Sequence, residues 1–503
     1  MIFDAGTLPV PGRMRADLCV IGSGPGGATA AAIAAEAGLK VVVLEAGALV
    51  TPAMMSQREE DMLPRLLWHA GARTTRDRAV RIVQGHGVGG SSLHNINLCK
   101  RTPAILRRGW AKRQPLERLD DATWDALYAE VEALIAVSPV APERWNRHNR
   151  LLQAGCEALG WRGGGLSHNR TGCLGSGFCE VGCAYDAKNN ALKVFVPRII
   201  AAGGQVLANC QAVRVLHVSG RVRGVDAVAL DPVTRQPRGT VHVEASRICV
   251  AASATGTPAL LMRSRVPDPS GTVGRGLRCH PAVLVAGDFG EPVRAWEGIP
   301  QTYECTEWLD FEGEGGRTWI VPAFGHPVTV ASMLPGDGAE HRRWMTRFAH
   351  LGALTAMLHD HTAGTVEPKG DLDVAIDYWP DAADRAELMR GLSRCAKLLF
   401  AAGAERVLVP GAPARVLGRG DDVEALAGLP LDKGALDLSA VHPMGTVAMS
   451  DDPRRGAVGS DGKHHHVEGL WVADGSLLPG SIGVPPQVTI YALGLHVGRA
   501  IAG

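Results

Sequence analysis

Residues 439–500 hold the side chains whose types and spacing point most directly to chemistry. His442, in Val441-His442-Pro443-Met444-Gly445, is a residue whose near-neutral pKa suits it to moving a proton. Asp474 closes the apolar run Leu470–Ala473. A helix is expected to open at Pro486, where the missing N–H costs nothing and the fixed φ suits a first turn. At the other end of the chain lies Gly22-Ser23-Gly24-Pro25-Gly26-Gly27. In such a run Gly22 permits a tight turn, Gly24 lets the backbone approach a pyrophosphate, and Gly27 lets a helix pack closely on a strand. Glu45, about 20 residues on, suits the hydroxyls of an unphosphorylated ribose. These residues speak for a dinucleotide and do not separate FAD from NAD. A chain carrying such groups at both ends must fold back so that the ends meet.

The elements around these residues read as α/β. Asp17–Ile21 is a short buried strand, Ala28–Ala37 a helix closing at Gly38, and Lys40–Leu44 a second strand ending on Glu45. A diphosphate would then lie at a helix N-terminus, where free N–H groups favour negative charge. Further on, Val213–Val218, Val222–Val228 and Arg247–Ala252 read as strands, followed by a helix start at Ala254–Leu261. Strands are also expected at Thr318–Pro322, Leu354–His361 and Leu372–Trp379, with a helix over Asp381–Ala402. There is no fixed-period repeat and no low-complexity linker. With 503 residues, 46% apolar and 20% charged, the chain can build a substantial core. A net charge of +1 leaves no nucleic-acid footprint. No apolar run approaches the ~20 residues of a membrane helix. The N-terminus lacks a signal-peptide pattern, and eleven scattered cysteines argue for a reducing compartment, so the protein reads as cytoplasmic.

One more run decides the cofactor class. Gly85 to Asn95 contains Gly89-Gly90-Ser91-Ser92-Leu93-His94-Asn95, where adjacent glycines permit close approach and small hydroxyls can donate. Together with the N-terminal glycines, His442-Pro443-Met444-Gly445 and Asp474-Gly475-Ser476, it resembles the glucose-methanol-choline (GMC) flavin oxidoreductases, in their compact cholesterol-oxidase-like branch. The resemblance implies a Rossmann-like FAD-binding domain interleaved with an antiparallel-sheet (α+β) substrate domain. Residues 1–290 and 430–503 would form the first and 291–429 the second. It implies FAD held by Gly22, Gly24, Gly27, Glu45, Gly89, Gly90, Ser91, His94, Asn95, Asp474, Gly475 and Pro486, with no metal. His94 either carries the flavin covalently or lines its ring. The implied reaction oxidises a primary or secondary alcohol by hydride transfer to flavin N5, with His442 as general base and oxygen or another acceptor taking the electrons. Steroids, aliphatic or aryl alcohols, sugars and amino sugars all stay open as substrates.

The chain departs from the family at one position. Pro485 stands where Asn or His is usual, immediately before Pro486, and its side chain neither donates nor accepts. Three replacements are conceivable: Gln487 or Tyr491 from the same helix, a histidine of the 359–361 segment, or a polar group on the substrate. An unnamed substrate-domain side chain is favoured, and Gln487, from the C-terminal helix, is also carried as a candidate catalytic residue. The departure also keeps a second reading open, a GMC-fold flavoprotein with lyase-like or other non-alcohol chemistry. Cys173, Ser176, Cys179 and Cys183 fall one ligand short of an iron–sulfur run, and a structural loop is expected. His464, His465 and His466 are expected in a solvated turn. His359 and His361 would share a strand face, either in the pocket or in the interior.

Overall fold

A computed structural model describes residues 1–10, 12–312 and 315–503. The apolar end of strand Gly12–Ile21 is wholly buried and leads into the helix Pro25–Glu36, which begins inside the glycine run, three residues earlier than expected. Pro25 occupies the first turn, where its ring is tolerated. Strand Val41–Leu44 lies parallel to Gly12–Ile21, as a right-handed crossover through that helix requires.

Among the described residues the first sheet has eight strands. Its parallel part runs Ile2–Asp4, Gln205–Ala208, Val41–Leu44, Gly12–Ile21 and Pro237–Val250. Arg221–Leu230 and Cys210–Val218 extend it as an antiparallel meander. Leu470–Val472 adds to the last residues of Pro237–Val250, which carries the C-terminal segment onto the N-terminal sheet. The closing helix Gln487–Ala502 crosses Pro25–Glu36 through small residues. A Cβ on Gly494 would fall 2.5 Å from the Gly26 carbonyl oxygen, and one on Gly498 would fall 2.9 Å from Ala30 Cα. The chain ends meet there.

Among the described residues the second sheet has nine strands and is mostly antiparallel: Arg415–Gly418, Arg406–Val409, Ala282–Asp288, Leu351–Leu358, Thr318–Ala323, Tyr303–Cys305 and Gly163–Gly165 in order. Leu438–Ala440 pairs with both Ala282–Asp288 and Val80–Ile82. Its strands therefore come from all three ranges read from the sequence, and a cut at residue 290 runs through this sheet. The helix Ala382–Ala401 covers it, with Leu388, Leu392 and Leu399 in a second core separate from that of the first sheet. Among the described residues, no helix is long and apolar enough to cross a membrane.

Candidate active site

A cavity of about 540 Å³ runs between the two sheets. It passes from Gly22, Gly24 and Glu45 along Ser91, His94 and Asn95 to His442 and Pro485. The glycines at its first end do different jobs. Gly22 has φ +102, and a Cβ there would lie 2.2 Å from the Ala251 carbonyl oxygen. Gly24 has an ordinary φ, and the nearest heavy atom to its Cβ position is Gly90 Cα at 3.8 Å. Protein packing does not require glycine at 24. The missing side chain leaves room in the cavity, beside the helix N-terminus, for an anionic ligand. Glu45 lies at the same end, buried, with its carboxylate accepting from Ser23 N at 3.0 Å, Ser23 Oγ at 2.7 Å and Gly47 N at 2.8 Å. Burial raises its pKa while these bonds oppose the rise.

Gly27 and Gly89 do not border the cavity but shape the backbone behind it. A Cβ on Gly27 would strike the Gly22 carbonyl oxygen at 2.1 Å, and Gly89, at φ +112, donates its N–H to Ser23 Oγ at 3.1 Å. Asp474 accepts from Ser476 N at 2.8 Å and from the Thr257 hydroxyl, and it borders the cavity with Gly475. Pro486 is the residue before the helix rather than its first member. The start of that helix, Pro486 and Gln487, borders the cavity, so its positive end faces any negative charge there.

His94 brings a buried Nε2 with no hydrogen-bond partner to the cavity. Burial first, then the nearby Lys188 ammonium, holds its pKa at about 3, so the ring is neutral. Lys188 is itself buried and donates to the carbonyls of Leu93, Asn95 and Cys179. It thereby ties the Cys173–Cys183 loop to the signature loop. Cys173 and Cys183 accept backbone N–H bonds from Gly175 and Ala187. Among the described residues no group of three or more ligand-type side chains could hold a metal ion.

Gln487 is placed otherwise than expected. Its Oε1 accepts from Asn95 Nδ2 at 2.7 Å, while Nε2 donates to Leu98 O at 2.7 Å and Asn169 Oδ1 at 3.2 Å. Both ends of the amide are engaged by the protein, so it ties the closing helix to the signature loop instead of serving a substrate. Tyr491 is fully buried, stacked on Phe195, and away from the cavity. Strand Leu351–Leu358 stops before His359, so His359 and His361 lie in the following loop and outside the cavity lining. His359 Nε2 meets Ser481 O at 3.2 Å. His464 is buried, not solvated, with its Nδ1 accepting from His466 N at 3.1 Å.

The residue the sequence reading missed is His280. Arg278 and Met444 exchange backbone hydrogen bonds of 2.9 Å in each direction, and this antiparallel bridge sets His280 opposite His442. Their rings stand near perpendicular with the two Nδ1 atoms 3.2 Å apart. His280 has φ +48, a conformation disfavoured for a non-glycine residue and doubly so before proline. Asp360 holds it there, accepting from Cys279 N at 2.9 Å, His280 N at 3.4 Å and Tyr378 Oη at 2.7 Å. Gly483 N donates to His280 Nε2 at 2.9 Å. Burial drives both imidazoles toward the neutral form, to a pKa of about 3 for His280 and well below the ordinary range for His442. One signal was legible: both histidines precede proline, as His280-Pro281 and His442-Pro443.

Comparison with known proteins gives the family. Two family models described as GMC oxidoreductase match residues 63–282 and 361–494, and one described as an NAD(P)-binding Rossmann-like domain matches residues 20–86. An uncharacterized GMC-type oxidoreductase of Mycobacterium tuberculosis is 36% identical over 97% of this chain and 76% of its own length. A long-chain-alcohol oxidase of Arabidopsis thaliana is 29% identical over 96% of this chain and 69% of its own. The crystal structure of pyridoxine 4-oxidase from Mesorbium loti superposes with a TM-score of 0.72 at 20% identity, covering 96% of this chain and 98% of that one.

Proposed function

We propose, from the premise that this chain belongs to the GMC oxidoreductase family and binds FAD, that it oxidises a primary or secondary alcohol to the aldehyde or ketone. The observation that carries this reading is a single cavity shared by the glycine cradle, the neutral His94 and the half-buried His442. The first sheet, with both chain ends, would hold the cofactor, and the second would roof the substrate. When bound, FAD supplies the hydride acceptor. The chain's own residues do the rest. Gly22, Gly24, Gly90 and Ser91 receive the dinucleotide backbone. Glu45 takes the ribose end, and Asn95, Asp474, Gly475 and Pro486 border the flavin end. His442 serves the hydroxyl that loses its proton, the place where a general base is expected. Leu284, Trp319, Phe324, Met333 and Met357 give the substrate end an apolar lining, which suits an alcohol with a hydrocarbon body. The substrate is a small-molecule alcohol, with oxygen or another acceptor completing the turnover.

Pro485 at the cavity wall favours one second reading, non-alcohol chemistry on the same fold. Anaerobic mixing with a panel of aliphatic, aryl, steroid and sugar alcohols separates the two. Bleaching of the flavin absorbance by at least one alcohol is expected, and a panel in which none bleaches it turns the assignment to the second reading. Peroxide formed on readmitting air would identify oxygen as the acceptor. His94 adds a further expectation. A neutral, unpartnered nitrogen facing the cofactor is the form that covalent attachment needs. Acid-precipitated protein should keep its yellow colour in the pellet, and colour in the supernatant instead leaves His94 as a contact residue.

A further inference from the structure

The hydrogen-bond chain ending at His442 begins at a donor whose direction is not in doubt. A backbone N–H can only donate, so the contact from Gly483 N makes His280 Nε2 an acceptor. A neutral His280 with a bare Nε2 carries its proton on Nδ1. That proton points at His442 Nδ1, 3.2 Å away, which must then accept it. A neutral His442 accepting on Nδ1 carries its own proton on Nε2. The Nε2 edge is the one left for the cavity, which His442 borders. We propose that His280, fixed by Gly483 N–H and by Asp360, is a positioning residue that holds His442 in the Nε2–H tautomer, so that His442 meets the substrate oxygen as a hydrogen-bond donor.

This rests on the alcohol-oxidation reading for its catalytic meaning and replaces the general-base role expected of His442. A neutral ring protonated at Nε2 has no lone pair to offer there. The opposite tautomer would turn His280 Nε2–H against Gly483 N–H, two donors facing each other in a buried site, at the cost of one unmade bond. The arrangement also supplies what Pro485 cannot. A donor at the reacting oxygen stabilises the negative charge that grows as the hydroxyl ionises. With FAD bound as hydride acceptor, the oxidation would balance: the C–H electron pair would leave as hydride, the O–H proton would pass to water, and the oxygen's electrons would close the C=O bond. The positive φ of His280 fits this role, since strained backbone held by an over-determined network is a mark of positioned functional residues.

Neutron diffraction from crystals of the deuterium-exchanged holoprotein reads the tautomers directly, without turnover. Deuterium on His280 Nδ1 and His442 Nε2 is expected, and deuterium on His442 Nδ1 overturns the proposal. Two variants then test the consequence. His280→Asp offers only acceptors and should draw the His442 proton to Nδ1. Flavin reduction should slow by about 100-fold at neutral pH, with the remaining activity shifted to lower pH, where the ring that the carboxylate helps to protonate carries Nε2–H again. His280→Asn can still donate through Nδ2 and should recover most of that loss. A His280→Asp enzyme as fast as the native one also overturns the proposal. If neutron density shows the expected tautomers while no alcohol reduces the flavin, the tautomer assignment stands and the alcohol reading fails. Reduction by alcohols with deuterium on His442 Nδ1 is the reverse case.

Discussion

His442→Ala should be purified yellow and yet be reduced by alcohol about 100- to 10,000-fold more slowly than the native protein, the range for losing a positioned proton-handling group. The split between binding and chemistry follows from where the residue sits. Among the described residues, the glycine cradle, Glu45 and the signature loop make no hydrogen bond to His442. Among the described residues, its side-chain hydrogen bond runs to His280, at 3.2 Å. Losing that bond costs about 1 kcal/mol of stability, too little to unfold the protein. Anaerobic stopped-flow at the flavin band checks the rate, and the absorbance ratio of the purified protein checks occupancy. An unchanged rate would remove His442 from the chemistry altogether.

Gly24→Ala and Gly27→Ala, two substitutions that look alike in sequence, should fail in opposite ways. At Gly24 the added methyl meets no protein atom closer than 3.8 Å, so the chain should fold normally. It would occupy the space left for the diphosphate, and FAD affinity should fall at least about tenfold, some 1.4 kcal/mol. At Gly27 the methyl would lie 2.1 Å from the Gly22 carbonyl oxygen and 2.9 Å from Ala251 Cβ. That overpacking should cost about 1–3 kcal/mol and appear as a lower melting temperature of the apoprotein. Calorimetry of both apoproteins, paired with FAD titration, separates the outcomes. A Gly24→Ala protein that keeps full flavin occupancy would mean that the cradle does not receive the diphosphate.

The readable parts of the sequence were those governed by local rules. A β-rich run, a glycine turn and an alanine-rich helix announced the first crossover, and only its helix start shifted, because Pro25 is accepted in a first turn. The long helix Ala382–Ala401 was placed to within a residue at each end for the same reason. Misreadings arose where partners lie far apart in the chain. Gln487 looked free to serve a substrate until the closing helix brought it against Asn95, Leu98 and Asn169. The 359–361 segment was expected on a strand, facing either the pocket or the interior, and it lies in the loop after that strand, outside the cavity lining. Its tertiary work is Asp360, which secures the backbone of Cys279 and His280.

By itself, then, the sequence determined the cofactor class, the order of the elements that cradle it, and His442 as the residue of interest. Each of these is written within a few neighbouring positions. Tertiary structure decided what His442 faces and in which form. His280 reaches it through the antiparallel register that pairs Arg278 with Met444, and Gly483 N–H sets the direction of the chain. Gly26 tells the same story, since its missing Cβ is demanded by the Ala473 carbonyl oxygen, 1.8 Å from where that atom would stand. Sheet register and helix crossing bring together residues hundreds of positions apart. No propensity or spacing rule records such a meeting, because its energy belongs to the contact and not to either segment alone.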